Sequence, residues 1–150
     1  MKKLIIILIT SLFLTNCGYT PIYSSKKFDF NLKKIINSNN DPLNSIINKK
    51  LQNFSNQESQ KIITLKIDGQ EKINTLAKNS KGDPSRYEMV INIKLEATFG
   101  ENKKINKSFQ EKFNYNANTN KFELSQYEKE IKNLLINRNI NRIIVYLTKT

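Results

Sequence analysis

Seven consecutive odd-numbered positions, Tyr87, Met89, Ile91, Ile93, Leu95, Ala97 and Phe99, are apolar, and of the six residues between them only Val90 is. Side chains alternate across a strand, so a period of two over thirteen residues fixes a long β-strand with one face in a core and the other in water. The chain must therefore build a sheet and cover one side of it. Gly100-Glu101-Asn102 supplies a turn. Ile105, Phe109, Phe113, Tyr115 and Ala117 then carry the odd register into a partner strand, interrupted by Lys107 and Glu111. Upstream, Ile63, Leu65 and Ile67 alternate in the same way and Ile73, Thr75 and Ala77 resume the face after Gly69, which predicts a long strand with a bulge near that glycine.

The cover comes from two stretches with helical spacing. Asn40-Asp41-Pro42 is a helix start, with Asp41 as cap and Pro42 at the first helical position, and Leu43, Ile46, Ile47, Leu51 and Phe54 follow on one face. Near the C-terminus, Phe122, Leu124, Tyr127, Ile131, Leu134 and Leu135 form a stripe that Ile140, Ile143, Ile144 and Leu147 extend. Its start has two candidate capping boxes, Asn120 with Glu123 and Ser125 with Glu128. Phe28-Asp29-Phe30-Asn31-Leu32 alternates and predicts a first strand. The order is strand, helix, three strands, helix. The expected fold is α+β, a four-stranded, mostly antiparallel sheet with two helices packed on one face, in a single domain over residues 28–150.

Composition narrows the chemistry. The 150 residues hold no His, no Trp and one Cys. That excludes a disulfide framework, a thiolate–imidazole zinc site and a histidine proton relay. A serine or threonine nucleophile would need lysine or a carboxylate as its base, and the acids are scattered: Glu88 and Glu96 lie far apart on the wet face of one strand. No catalytic residue, metal ligand or cofactor site is expected. The formal charge of +12 would by itself point to nucleic acid. Arg accounts for only three of the 25 cations, however, and Lys, Asn and Ile together make 65 residues, the signature of A/T-rich codon usage. A phosphate-gripping surface should draw on arginine's bidentate fork, so no nucleic-acid partner is expected.

The N-terminus reads as an address. Lys2 and Lys3 precede an apolar run from Leu4 to Leu14. A bilayer-spanning helix needs about 20 residues, so this run is the core of a signal peptide, residues 1–16. Leu14-Thr15-Asn16-Cys17 follows and contains the only cysteine. The pattern resembles a bacterial lipobox, in which the cysteine is acylated and becomes the mature first residue; Asn16 departs from the usual small residue before it. Cys17 is thus the expected lipidation site, residues 17–27 a tether, and the covalent lipid an anchor holding the protein to a membrane. Gly18 in place of Asp points to sorting toward the outer membrane.

Three stretches together resemble one family. Cys17-Gly18-Tyr19-Thr20-Pro21-Ile22-Tyr23, the alternating run Arg86 to Ala97, and Phe113-Asn114-Tyr115-Asn116 before an amphipathic C-terminal helix are similar to the lipopolysaccharide-assembly lipoproteins (LptE-like). The resemblance covers nearly the whole chain after residue 16. It implies a non-catalytic outer-membrane lipoprotein facing the periplasm. Such a protein plugs and helps assemble a large β-barrel translocon, supporting insertion of lipopolysaccharide into the outer leaflet. It further implies that basic residues in the loops at one end of the sheet contact the glycolipid. The corresponding positions here are Lys78, Lys81, Arg86 and Lys121, whose cations can pair with phosphates or acidic sugars; the alternative for each is a solvated cation in a chain with 22 lysines. A different outer-membrane lipoprotein, an envelope scaffold or a periplasmic ligand-binding module, is the competing reading.

Overall fold

The computed structural model describes residues 28–38, 41–100 and 103–150. The signal segment, the lipobox at Cys17, the tether and the Glu101-Asn102 part of the turn lie outside the described residues. The elements are β1 (Asn31–Asn37), α1 (Pro42–Gln52), β2 (Ile62–Lys78), β3 (Pro84–Phe99), β4 (Lys103–Asn116) and α2 (Lys121–Lys149). The sheet order is β1-β2-β3-β4, with β1 parallel to β2 and the other two pairs antiparallel. This is the expected α+β arrangement in the expected element order.

The odd register of β3 is the spine of the core. Met89, Ile91, Ile93, Leu95 and Ala97 are all buried, and Ile63, Leu65 and Ile67 of β2 join them on the same face. Both helices close over that face. Leu43, Ile47 and Leu51 descend from α1, and Ile131, Leu135, Ile140, Ile143, Ile144 and Leu147 from α2. The opposite face carries Lys66, Asp68, Gln70 and Lys72 of β2 against Glu96, Lys94, Asn92 and Val90 of β3, and no described element covers it.

Four local expectations shift. The first strand begins at Asn31, later than the Phe28–Leu32 alternation implied. Phe30 and Leu32 are buried as expected, but the pairing with β2 slips between Leu32 and Lys34, and this bulge carries the apolar phase past two lysines to the half-buried Ile35. The bulge expected near Gly69 is absent: Asp68, Gly69 and Gln70 pair regularly with Lys94, Ile93 and Asn92, and the register slips between Thr75 and Lys78. Gly69 serves close packing instead. A Cβ there would lie 2.6 Å from Ile47 Cδ1 and 2.9 Å from Asn44 Oδ1, so only glycine lets α1 approach this closely. The Gly69 N–H donates to Asn44 Oδ1 at 2.7 Å. Finally, Phe122 and Leu134 of the predicted α2 stripe are exposed, and so is Ile46 of α1.

The interruptions in β4 have a reason. Lys107 sits over the Tyr146 ring, 5.9 Å from its centroid. Glu111 accepts from Arg142 at 2.7 Å, and the same guanidinium nitrogen donates to the Gln110 carbonyl at 3.1 Å. Both odd-register charges are thus partners of α2 at the margin of the core.

Candidate functional site

The β2–β3 hairpin and the loop after β4 meet at one end of the sheet. Ala77 pairs with Arg86 and Arg86 with Asn116, while the Ala117 N–H donates to the Ser85 carbonyl at 3.0 Å. All four sequence-derived cations belong to this end: Lys78 and Lys81 on the hairpin, Arg86 at its base, and Lys121 opening α2.

Asn79 builds the hairpin tip. Its N–H donates to the Asp83 carbonyl at 2.8 Å, and its side-chain oxygen accepts from the N–H groups of Lys81 and Asp83, both at 2.9 Å. Gly82 closes the turn at φ +85°, a left-handed conformation that side chains disfavour. Lys78, Lys81 and Arg86 project into solvent from this scaffold.

The second loop is organised by amides. Asn120 caps α2, accepting from Phe122 N at 3.1 Å and Glu123 N at 3.3 Å. Of the two candidate capping boxes, the structure uses the Asn120 position. The reciprocal half is replaced: Glu123 accepts from the Asn118 side-chain amide at 2.9 Å, while the Asn120 N–H donates to Asn118 Oδ1. Lys121 therefore occupies the first turn of a helix, where the macrodipole disfavours a cation.

The charge balance of this end is one-sided in availability. Asp83 is engaged by Asn79 and Glu123 by Asn118. The ion pairs among the described residues, Lys112–Glu88, Lys132–Glu71 and Arg142–Glu111, use none of the four tip cations. Beside Lys121 stands Phe122, 71% exposed. A cleft of about 570 Å³ between the loop and α2 is lined by Asn116, Asn118, Thr119, Leu124 and Tyr127. Beneath it Tyr115 packs between Tyr87 and, edge-on, Tyr127, at centroid distances of 5.5 and 6.2 Å, and donates to Glu128 Oε1 at 2.7 Å. Burial, reinforced by that carboxylate, holds the Tyr115 phenol protonated well above its ordinary range.

Unpaired cations, an exposed ring and a cleft of mixed polarity form a surface suited to an anionic amphiphile. Among the described residues, no three His, Cys, Asp or Glu side chains gather to hold a metal ion. The sequence located the cations but missed Phe122 and the cleft. Phe122 fits the helical stripe by spacing, and only the structure shows that it is exposed while Leu124 of the same turn packs against the core.

This architecture recurs in solved lipoproteins. Rare lipoprotein B from Shewanella oneidensis matches with a TM-score of 0.58 at 13% identity, over 80% of this chain and 93% of that one. The chain shares the fold of that lipoprotein. A minor lipoprotein from Acinetobacter baumannii matches with a TM-score of 0.55 at 11% identity, over 81% and 92% of the two chains. Lipoprotein B from Nitrosomonas europaea gives a TM-score of 0.50 at 12% identity, over 78% and 80%. No family profile and no curated protein matches at the level of sequence. The fold is therefore shared at 11–13% sequence identity.

Proposed function

We propose that this chain is a non-catalytic outer-membrane lipoprotein, anchored through an acylated Cys17 and facing the periplasm. In this reading it plugs and helps assemble a β-barrel lipopolysaccharide translocon. The observation that carries the reading is the fold shared with three lipoprotein structures across about four-fifths of the chain, joined to a sequence whose only cysteine ends a lipobox. The polar sheet face suits the polar lumen of a large barrel. The tip supports the glycolipid part of the proposal: Lys78, Lys81, Arg86 and Lys121 are free to meet phosphates, with Phe122 beside them for an acyl or sugar surface. The protein contributes shape and charge, and no bond is made or broken.

Depletion of the protein tests the role. Lipopolysaccharide at the cell surface should fall while total lipopolysaccharide persists and the barrel subunit fails to mature. Unchanged surface lipopolysaccharide with a normal barrel would contradict the proposal and favour an envelope scaffold or a periplasmic ligand-binding module.

A further inference from the structure

At the end opposite the tip, β2 opens at Ile62 beside Asn31 of β1, and Phe99 at the close of β3 pairs with Ile63 and Lys103. α2 finishes there as well: Lys61 Nζ donates to the Leu147 carbonyl at 3.4 Å and Lys103 Nζ to the Thr150 main-chain oxygen at 3.3 Å. Cations lie over rings at this end and up the adjoining β4 flank. Lys61 and Lys103 stand 5.6 and 5.5 Å from the Phe99 centroid, and Lys107 and Arg142 stand 5.9 Å from those of Tyr146 and Phe109. Lys104 and Lys149, in the same segments, are exposed. A cleft of about 380 Å³ between β4 and α2 is lined by Phe109, Val145 and Tyr146, with Arg142 and Lys149 beside them. Of these cations, Arg142 alone pairs with an Asp or Glu among the described residues.

The chain enters the domain at this same end. The Asn31 N–H donates to the Lys61 carbonyl at 2.8 Å, and Phe28 packs edge-on against Phe54 with ring centroids 5.3 Å apart. Phe28 stands eleven residues after Cys17, with Lys26 and Lys27 directly before it. A chain spans at most about 3.6 Å per residue, so Cys17 lies within about 40 Å of Phe28. The 17 residues of β2, at about 3.3 Å each, carry the tip about 50 Å beyond this end. An upright domain held by an anchor at Cys17 therefore cannot set its tip against the anchor's own leaflet, whereas the cations of the near end fall well within reach of it.

We propose that this near end docks on the anionic phospholipid headgroups of the leaflet that holds the acyl chains. Charge selects the occupant. The segments that enter or form this end, residues 26–29, 58–61, 99–107 and 145–150, hold seven lysines against three acids, Asp29, Glu58 and Glu101. Lysines beside an anionic leaflet are drawn to its surface potential, and a basic cluster next to a covalent lipid is the two-signal arrangement of membrane attachment. The rings suit the depth. Tyr146 is half-buried and Val145 is 41% exposed, and a tyrosine with an apolar neighbour fits the boundary between headgroups and acyl chains. The acyl chains supply attachment and the cations supply orientation. The inference rests on the acylated Cys17 of the proposed function and deepens it: the near end stays at the periplasmic rim of the barrel while the tip is directed toward the outer leaflet.

Fluorescence quenching of the full chain, purified from membranes and reconstituted into vesicles, reads the orientation. Thr148→Cys places a thiol-reactive dye at the near end and Ser80→Cys places it at the tip; an acylated Cys17 takes no dye. In vesicles containing phosphatidylglycerol, a headgroup-borne quencher should quench Thr148→Cys at least about threefold more than Ser80→Cys. That excess should collapse in phosphatidylcholine vesicles or at high salt, which screens the attraction. Substituting Gln for Lys103, Lys104, Lys107 and Lys149 should also abolish it, and Arg at the same four positions should keep it. Gln at Lys78, Lys81, Arg86 and Lys121 removes as much charge and should leave it unchanged. Equal quenching at the two positions, an excess indifferent to lipid charge, or an equal loss with the tip variant would overturn the inference; the first two readings need no substitution among the lysines. Dye uptake by the wild-type chain would instead reveal an unacylated Cys17 and remove the anchor and this inference together.

Discussion

Asn44 and Asn139 are both buried with the apolar core, and they serve it differently. Asn44 accepts from the Gly69 N–H where β1 no longer supplies a carbonyl. Asn139 donates to the Ile91 carbonyl at 3.0 Å, but its own oxygen has no partner among the described residues. Removing an acceptor from a buried N–H costs about 1–3 kcal/mol, so Asn44→Ala should lower stability in urea denaturation by that amount. Asn139→Leu loses one bond and relieves one orphaned oxygen, and should stay within about 1 kcal/mol of wild type. Gly69→Ala forces its Cβ into Ile47 and Asn44 and should cost about 1–3 kcal/mol by overpacking. Tyr115 adds a pH dependence with a definite sign. Its phenol ionises less readily folded than unfolded, so the folded state binds more protons in alkali. The stabilisation is complete below the ordinary tyrosine pKa of about 10 and is lost as pH rises above it. Tyr115→Phe should flatten the alkaline fall in urea midpoint above about pH 10; an unchanged fall would place the sensitivity elsewhere.

At the scale of elements, the two helix stripes separate burial from periodicity. Ile140 is 2% exposed and Phe122 71% exposed, although both fit the α2 stripe by spacing. Ile140→Ala should destabilise by about 2–5 kcal/mol, while Phe122→Ala should change stability by less than about 0.5 kcal/mol; chemical denaturation of the two variants checks the contrast. The same contrast explains what the sequence made legible. The β3 alternation and the Asp41-Pro42 start of α1 are local signals, the α2 cap narrows to Asn120 or Ser125, and each predicted element formed in its expected order. Features that depend on a neighbour were not legible. The Leu32–Lys34 bulge reflects pairing with β2, Gly69 answers to α1 across space, and Lys107 and Glu111 read as breaks until α2 supplies Tyr146 and Arg142. The candidate site divides similarly. Its cations follow from loop composition and family resemblance, whereas the exposure of Phe122 and the cleft depend on how the Asn116–Asn120 loop and α2 fold against each other.

For the whole molecule, a basic, histidine-free chain resolves into a lidded sheet with one polar face and a cationic tip. Replacing Lys78, Lys81, Arg86 and Lys121 with Gln should leave the thermal midpoint nearly unchanged, because none forms an ion pair with a described residue. The same variant should weaken association with purified lipopolysaccharide, and the difference from wild type should shrink as salt screens the charges. Mass spectrometry of the protein from membranes should find an acylated N-terminus at Cys17; an unmodified cysteine would remove the anchor on which the envelope reading depends. The central claim is that this fold serves as the partner of a β-barrel, and affinity purification tests it most directly. A tagged full chain extracted in mild detergent should bring down a large outer-membrane β-barrel in stoichiometric amount. Recovery of the protein without any barrel, from membranes in which the lipopolysaccharide translocon is intact, would contradict the account.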